Sequence, residues 1–428
     1  MHKFLIIFYC IAANIAFAGG FQLNIQGTKA VGIGGAFTGK CTDASALYFN
    51  PGGLMNLKSQ NLIFGTHIIV PSVSLQTDYY DNINQTTGNA TPVHFYYSGR
   101  YKEKLAYGLG VNNQFGSASS FADDWQGRYI IQNISLRTFM FQPTVAYKIH
   151  DRISIGAGFV YTTGSFSYEK AVPLSSVNVL YGKARLTGKG KAYGYNVGIF
   201  SNVFEKEISS GVISLTAGLS YRSGMKIKLK DGKADFINIP NSMRSMFPIE
   251  TGFTAELNLP SVISGGFCFD FAKGESWNVN LNYEINRTGW STYDTLAFDF
   301  ENEETPDTKV TKNWDNVFAH RTGVEFVYKE LAALRMGCYY DNSPIPDGYV
   351  SPELPDSDNL SFTAGVGFYG VKNLSIDFSF IRQVAEREGE LVDEGFSAIY
   401  RRKVNIYGIS LGYALDWKKK QKSAPQVE

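Results

Sequence analysis

The sequence predicts an all-β fold: a transmembrane antiparallel β-barrel of about fourteen strands, with an N-terminal plug in its lumen. Three observations predict it. Apolar residues recur at every second position in run after run of the chain. The connections between these runs alternate strictly between short turns and long loops. The stretch Gly19 to Leu54, which precedes the first run, has no such period and is rich in Gly, Ala and Ser.

Composition agrees with a wall facing lipid. Charged residues make up only 18% of the 428 residues, whereas aromatics reach 14%, with 26 Tyr and 31 Phe. Barrels in membranes use such residues as girdles at both interfaces. The net charge is +1, and it falls to 0 when Lys3 leaves with the leader. That balance excludes nucleic acid as a partner, because phosphate neutralisation needs a clustered basic surface.

The leader is residues 1–18. Lys3 supplies a positive start, Phe4 to Ala13 an apolar core, and Ala16-Phe17-Ala18 an A-x-A cleavage signal. The apolar run is shorter than the roughly 20 residues a spanning helix needs, so export with cleavage is expected. Of four cysteines, Cys10 leaves with the leader. Cys41, Cys268 and Cys338 are too widely spaced for a zinc site or a disulfide framework.

Residues 19–56 form the expected plug, too poor in large apolar residues to build a core of its own. The barrel is expected over 57–417 and a basic periplasmic tail over 418–428. Its strands show the alternation well. Trp277, Val279, Leu281, Tyr283 and Ile285 share one face, and Asn278, Asn280, Asn282, Glu284 and Asn286 the other. The same pattern runs from Ile153, from Leu374 and from Tyr407. Strands are expected to start near Asn61, Ala90, Leu105, Ser135, Arg152, Lys183, Gly211, Gly252, Ser276, Val310, Leu331, Asn359, Asn373 and Phe396. Short turns such as His150-Asp151 alternate with long loops such as Ser117 to Asn133, Phe236 to Thr251 and Glu386 to Gly395. An even strand count with short turns on one side is the outer-membrane arrangement, and a closed barrel leaves no unpaired edge in lipid. Alternation also turns Glu284, Arg321, Glu325 and Arg335 inward. They either pair with one another and hold the plug, or offer a cation to an acidic ligand.

Several segments form recognisable motifs. Near the expected mature start stand Gly20-Phe21-Gln22-Leu23-Asn24, Gly34-Gly35-Ala36-Phe37, Asp43-Ala44-Ser45-Ala46 and Asn50-Pro51. Asp124-Trp125-Gln126-Gly127-Arg128-Tyr129 and Pro143 to Lys148 follow, then Asn313-Trp314-Asp315 and the run ending Tyr340-Asp341-Asn342-Ser343-Pro344-Ile345-Pro346-Asp347. In this order they resemble the FadL-type outer-membrane transporters of long-chain fatty acids and other hydrophobic compounds, a family that includes the TodX-type channels for aromatic hydrocarbons. The first four motifs resemble the family's plug, and the Asp124 motif resembles its second outer loop.

The resemblance implies a plug gate that includes Gln22, Asn24, Asn50 and Pro51, with Phe21 as the plug aromatic that meets the ligand. It implies no energy coupling, and a sideways exit at a kink in the third strand, here Asn112-Asn113-Gln114-Phe115-Gly116. Where the family often has Pro before Phe-Gly, this chain has Gln114. The end also departs from the family pattern, running past Trp417 into Lys418 to Lys422.

Other chemistry finds no support. Gly34 to Lys40 matches most of G-x-x-x-x-G-K, but Cys41 stands where Ser or Thr must reach magnesium. The mature chain holds only His67, His94, His150 and His320, with no nucleophile signature beside them, so no enzyme, cofactor or metal is expected. The loops Ala171 to Tyr181 and Phe236 to Phe253 are unusual because they are apolar. They carry Leu174, Leu180, Met243, Met246 and Phe247, and such clusters mark a landing site or mutual packing. In the family these loops form the first binding groove.

The expected function is therefore passive uptake of hydrophobic molecules, foremost long-chain fatty acids. They would adhere to the loops, bind in the lumen under the plug with Arg321 or Arg335 holding a carboxylate, and leave sideways into outer-membrane lipid. The alternatives are a channel for other hydrophobic compounds such as aromatic hydrocarbons, or an adhesin or structural barrel. A monomer is expected.

Overall fold

A computed structural model describes residues 19–57, 60–174 and 181–415. The leader, Leu180, Trp417 and the basic tail lie outside the described residues. Fourteen strands form the wall: β1 Gln60–Gln76, β2 Val93–Tyr101, β3 Leu105–Asn112, β4 Asn133–His150, β5 Ile153–Pro173, β6 Tyr181–Ile208 and β7 Gly211–Arg222. They continue as β8 Val262–Lys273, β9 Trp277–Thr288, β10 Val317–Tyr328, β11 Ala332–Asp341, β12 Asn359–Val371, β13 Leu374–Leu391 and β14 Phe396–Leu415. Each pairs antiparallel with its predecessor, and β14 returns to β1 from Gln60↔Leu415 to Gln76↔Ile399, closing the cylinder.

The alternation fixes which face of each strand meets lipid. Along β9, Leu281 is 51% exposed toward lipid, while Asn280 and Asn282 are each 2% exposed. Flipping the register by one residue would put those amides into hydrocarbon, so one face of each strand is fixed. Short turns such as Lys102–Lys104 lie at one end and the long connections at the other.

Two expected strands lie elsewhere. The run from Gly252 is not wall: Glu250–Leu259 belongs to a sheet beyond the membrane, and β8 starts at Val262 after Pro260. The run near Val310 is the short strand Thr308–Thr311 of that same sheet, and β10 starts at Val317. The upper half of β6 pairs with Met225–Ile237, which pairs with Glu250–Leu259, then Thr295–Phe300, then Thr308–Thr311. This outer sheet also has one buried and one exposed face, so period two cannot tell it from wall. The expected loop Glu386 to Gly395 is mostly strand too, because β13 stays paired with β14 up to Leu391↔Phe396.

Residues 19–57 lie inside the cylinder. They carry only short helices, Thr28–Gly32 and Ala46–Phe49, and a 3₁₀ turn at Pro51–Asn56. Their backbone rests directly on the wall: a Cβ added at Gly323 of β10 would meet the Ile33 carbonyl oxygen at 2.3 Å. Buried charges then lock the plug. Glu284 accepts hydrogen bonds from the Phe37 and Thr38 N–H groups at 2.8 and 2.7 Å. Lys40 reaches Glu325 at 3.0 Å, Glu325 also pairs with Arg335, and Arg335 meets Asp377 at 2.7 Å.

Glu325 thus serves a plug cation and a wall cation at once. Removing one partner of a buried charge network costs about 3–5 kcal/mol. Glu325→Ala is expected to loosen the plug by that order while the barrel still assembles. The check is limited proteolysis of the N-terminal segment beside heat-modifiability on gels; unaltered protease resistance would refute the locking role.

Candidate functional site

The wall is interrupted in β3. After Asn112 the ladder stops, and it resumes over Gly116–Ser120. Asn112 pairs with Met140 and Gly116 with Arg137, so three residues (113–115) oppose two on β4, a bulge that bends the strand. Asn113 stabilises the bend with its side chain, accepting from Val93 N–H at 2.9 Å and donating to the Thr138 carbonyl at 2.5 Å. No proline is needed. Gln114 is fully buried, and neither polar atom of its side chain has a partner.

The gap in the ladder is filled from inside. Leu23 N–H donates to the Gln114 carbonyl at 2.7 Å, Gly116 N–H donates to the Phe21 carbonyl at 3.0 Å, and Gln22 forms a bridge with Phe115. The N-terminal segment acts as a short substitute strand for the broken one. Beside it, the Gln26 amide donates to the Asn113 carbonyl at 2.6 Å.

The side chain of Phe21 points into an aromatic cage. Its ring lies 4.7 Å from Trp290, 5.4 Å from Tyr293, 5.7 Å from Trp314 and 5.9 Å from Phe115, mostly edge to face. Gly20 permits this: its φ is +61°, and a Cβ there would strike Trp314 at 2.5 Å. From the cage an apolar chamber climbs through Leu136, Met140 and Val160 into the outer sheet. There the rings follow one another: Phe166 to Phe298 at 5.8 Å, Phe298 to Phe253 at 5.6 Å, Phe253 to Phe300 at 6.1 Å, Phe300 to Phe236 at 6.3 Å and Phe236 to Phe247 at 5.2 Å. A void of about 10 Å³ persists in the chamber, between Leu136, Phe166, Ile227, Leu229, Leu257, Leu296 and Phe298.

The loop residues singled out in the sequence meet this series. Leu174, Met243 and Phe247 pack against the cluster, while Met246 is 41% exposed and Ile249 74%. Leu180 is outside the described residues. Trp290, Tyr293 and Phe298 were missed, because each lies between strands or in the outer sheet, where only the spatial cluster reveals a role.

On the other side of the plug segment is a polar cavity of about 50 Å³. Gln22, Asn24, Gln114, Asn196, Arg222, Glu284 and Arg321 are among its lining residues. Four lining residues have buried polar atoms without partners: Thr38 Oγ1, both amide atoms of Gln114, Asn196 Oδ1 and Arg222 Nη1. Buried polar groups are nearly always satisfied, so a cavity of this size with this lining suits water or another small polar group.

Arg321 and Arg335, the cations expected to hold a carboxylate, are already engaged. Arg321 pairs with Asp341 at 3.0 Å and Arg335 with Glu325 and Asp377. Asp341 in turn accepts from Asn24 of the plug at 3.3 Å. These two arginines hold wall and plug together, as the inward mixture of signs allowed. Of the two arginines that line the cavity, Arg222 is the one that makes no ion pair among the described residues. It donates to the Tyr48 carbonyl and the Gln142 amide oxygen at 3.0 Å each, and stacks on the Tyr48 ring at 4.5 Å. At the base of the plug, Asn50 donates to the Thr38 and Ile199 carbonyls at 3.1 and 2.9 Å, and Pro51 opens the 3₁₀ turn.

A closed barrel with an internal plug, a bulged third strand and apolar outer loops defines the class of plugged outer-membrane transport barrels. The sequence pattern of the family described as outer membrane protein transport protein (OMPP1/FadL/TodX) matches residues 9–414, and the chain belongs to that family. It is a family of transport proteins, not of enzymes, and the protein resides in the outer membrane. Among curated relatives, the long-chain fatty acid transport protein of Salmonella typhi is 24% identical over 450 residues, covering 94% of this chain and 96% of the relative. That of Escherichia coli K12 is 22% identical over 436 residues, covering 93% and 95%. Among solved structures, a FadL homologue of Pseudomonas aeruginosa superimposes with a TM-score of 0.77 at 15% identity, covering 93% of this chain and all of that one. The Ralstonia pickettii toluene transporter TbuX gives 0.69 at 14% identity, covering 91% and 98%.

One further contact ties the plug to an outer loop: Gly20 N–H donates to Asp356 at 3.1 Å. Burial pushes the Asp356 carboxyl up to about 7, against the pull of Arg402 at 3.6 Å and of the Gly20 N–H itself. The folded value lies above the roughly 3.9 of a free Asp. Asp356 therefore contributes to the stability of the folded chain at low pH, and that contribution is lost as pH rises toward about 7. The unfolding temperature, read by heat-modifiability on gels, should be higher at about pH 5 than at about pH 8, and Asp356→Asn should reduce the difference. An unfolding temperature that Asp356→Asn leaves with the same pH dependence would contradict this.

Proposed function

We propose that the protein carries hydrophobic molecules passively across the outer membrane, with long-chain monocarboxylic acids as the preferred class, and releases them sideways through the break in β3. The observation that carries this reading is a coincidence at one residue. Phe21 terminates the aromatic series that descends from the outer loops, and its carbonyl also closes the broken ladder at Gly116. A guest that displaces the Phe21 ring must therefore disturb the segment that seals the wall.

The route begins at Met246 and Ile249, whose exposed apolar surface offers a first contact. The guest then replaces ring–ring contacts in the chamber, where each buried methylene contributes about 0.8 kcal/mol. The small void implies that the chamber closes on itself and opens as side chains give way, a task suited to Met and to rings held edge to face. An acid head would reach past Phe21 to Arg222, whose unpartnered Nη1 supplies a charge-assisted hydrogen bond. As residues 21–23 withdraw, the Gln114 carbonyl and Gly116 N–H lose their partners and the gap faces the bilayer. Transport then runs down the gradient into lipid, needing no energy source.

A second reading, a channel for neutral hydrocarbons, is favoured by the apolar lining of the chamber. Arg222 separates the two. Arg222→Leu is expected to cut uptake of labelled oleate by about tenfold, the worth of one charge-assisted bond of about 1.5 kcal/mol, and to leave toluene uptake unchanged. Equal loss of both substrates, or of neither, would remove the acid from the proposal. Deleting residues 21–24 should alter uptake of both while the barrel still assembles; unchanged uptake would eliminate the gate.

A further inference from the structure

The outer surface of the wall carries a charge pattern that transport does not use. On β4–β7 the lipid-facing side carries two neighbouring groups of rings. Phe141 lies 6.1 Å from Tyr161, Tyr161 is 5.5 Å from Tyr193, Phe159 stacks on Tyr193 at 6.2 Å, and Tyr195 meets Tyr221 at 5.9 Å. Tyr193 is 63% exposed. Such rings sit where hydrocarbon gives way to head groups.

The next outward positions toward the outer sheet are basic. Along β6, Tyr193 is followed by Lys191 and Lys189, both exposed. Lys191 stands directly opposite Lys228 of Met225–Ile237, and Lys226 and Lys230 flank Lys228 on the same face. Arg137 of β4 is aligned with Ser165 of β5, which is aligned with Lys189. One carboxylate, Glu256, is shared by Lys226 at 2.8 Å and Lys228 at 3.4 Å. Among the described residues Lys189, Lys191, Lys230 and Arg137 make no ion pair.

Like charges placed directly opposite on neighbouring strands destabilise a sheet, and an uncompensated row calls for a counter-charge from outside. The opposite side of the barrel differs: on β13 and β14 the exposed residues Arg382, Glu386, Glu388, Glu390 and Lys403 mix both signs, and Glu386 pairs with Arg401 at 2.9 Å. The basic excess is thus local, faces outward, and lies at head-group height on the long-loop side of the membrane.

We infer that this face docks the phosphorylated head group of an outer-leaflet glycolipid of the lipopolysaccharide class. Its acyl chains lie along the exposed Val197 and Ile199 of the same strand, and its sugars rest on these rings. Neighbouring strands are about 4.8 Å apart and alternate residues about 7 Å apart, so the lysines form a grid wide enough for more than one phosphate. Lys191 and Lys228 together take one, and Lys189 with Arg137 or Lys230 the next. Basic clusters beside a membrane hold anionic head groups in this manner. The lysines of the site lie on the outer surface, away from the chamber in the lumen, whereas Arg137 also borders the break in β3, opposite Gly116.

The test uses the full mature barrel in non-ionic detergent, with a deep-rough lipopolysaccharide as probe and its dephosphorylated form as control. The triple variant Lys189→Gln, Lys191→Gln, Lys228→Gln is compared with wild type by native mass spectrometry, and folding is checked by heat-modifiability. Wild type is expected to retain the phosphorylated lipid about tenfold better than the triple variant. Raising salt from about 0.1 M to about 1 M, which shortens the screening length from about 10 Å to about 3 Å, should abolish the difference. Lys102→Gln with Lys104→Gln, at the other end of the barrel, should change nothing. Equal retention by wild type and triple variant, equal binding of the dephosphorylated lipid, or equal affinity for phosphatidylglycerol micelles would overturn the assignment.

Discussion

In hydrocarbon an unpaired peptide group has no water to turn to, and every backbone N–H and C=O in the wall must be met by protein. That constraint closes the sheet from β1 to β14. It also explains why the interruption of β3 can exist at all. Residues 113–115 leave the ladder, and the freed groups at Gln114 and Gly116 are met by Leu23 and Phe21. The side chains of Asn113 and Thr138 meet others, including Phe115 N–H at 3.1 Å. The weak point of the wall and the plug that occupies the lumen are therefore one structure.

The lumen is divided by chemistry on either side of that junction. Toward the short turns, the plug is locked by a network of Glu284, Glu325, Arg335, Asp377 and Lys40, with backbone pressed against backbone where wall and plug are both glycine. Toward the outer loops, aromatic and aliphatic side chains touch one another without fixed hydrogen bonds. The first region is costly to disturb because charges would be left buried alone. The second exchanges one apolar contact for another and resists an apolar guest little. Rigidity below and compliance above follow from the residue types alone.

Much of this was legible in the sequence. Period two with alternating loop lengths indicated the barrel and its strand count, and Leu281 against Asn280 and Asn282 lies as the alternation requires. The same signal misled at Gly252 and Val310, since a sheet outside the membrane also buries one face. The inward turn of Arg321 and Arg335 was readable, but their partners were not: Asp341 and Asp377 lie 20 and 42 residues away in sequence. Arg222 was not singled out in the sequence. That it makes no ion pair among the described residues depends on distant positions, and no local pattern reports it.

By itself the sequence determined the local rules: which side chains share a face, which segment is too small-chained to be wall, and which loops are too apolar for water. Those are consequences of the spacing of two residues per pleat and of side-chain size, and they are written in neighbouring positions. Only the tertiary structure decided that Phe21 meets Trp290, Tyr293 and Trp314, that Gly20 bonds to Asp356, and that Arg222 bonds to Tyr48 and Gln142. These contacts join positions hundreds of residues apart, brought together by the curvature of a closed sheet, and closure is a property of the whole ring that no single strand contains.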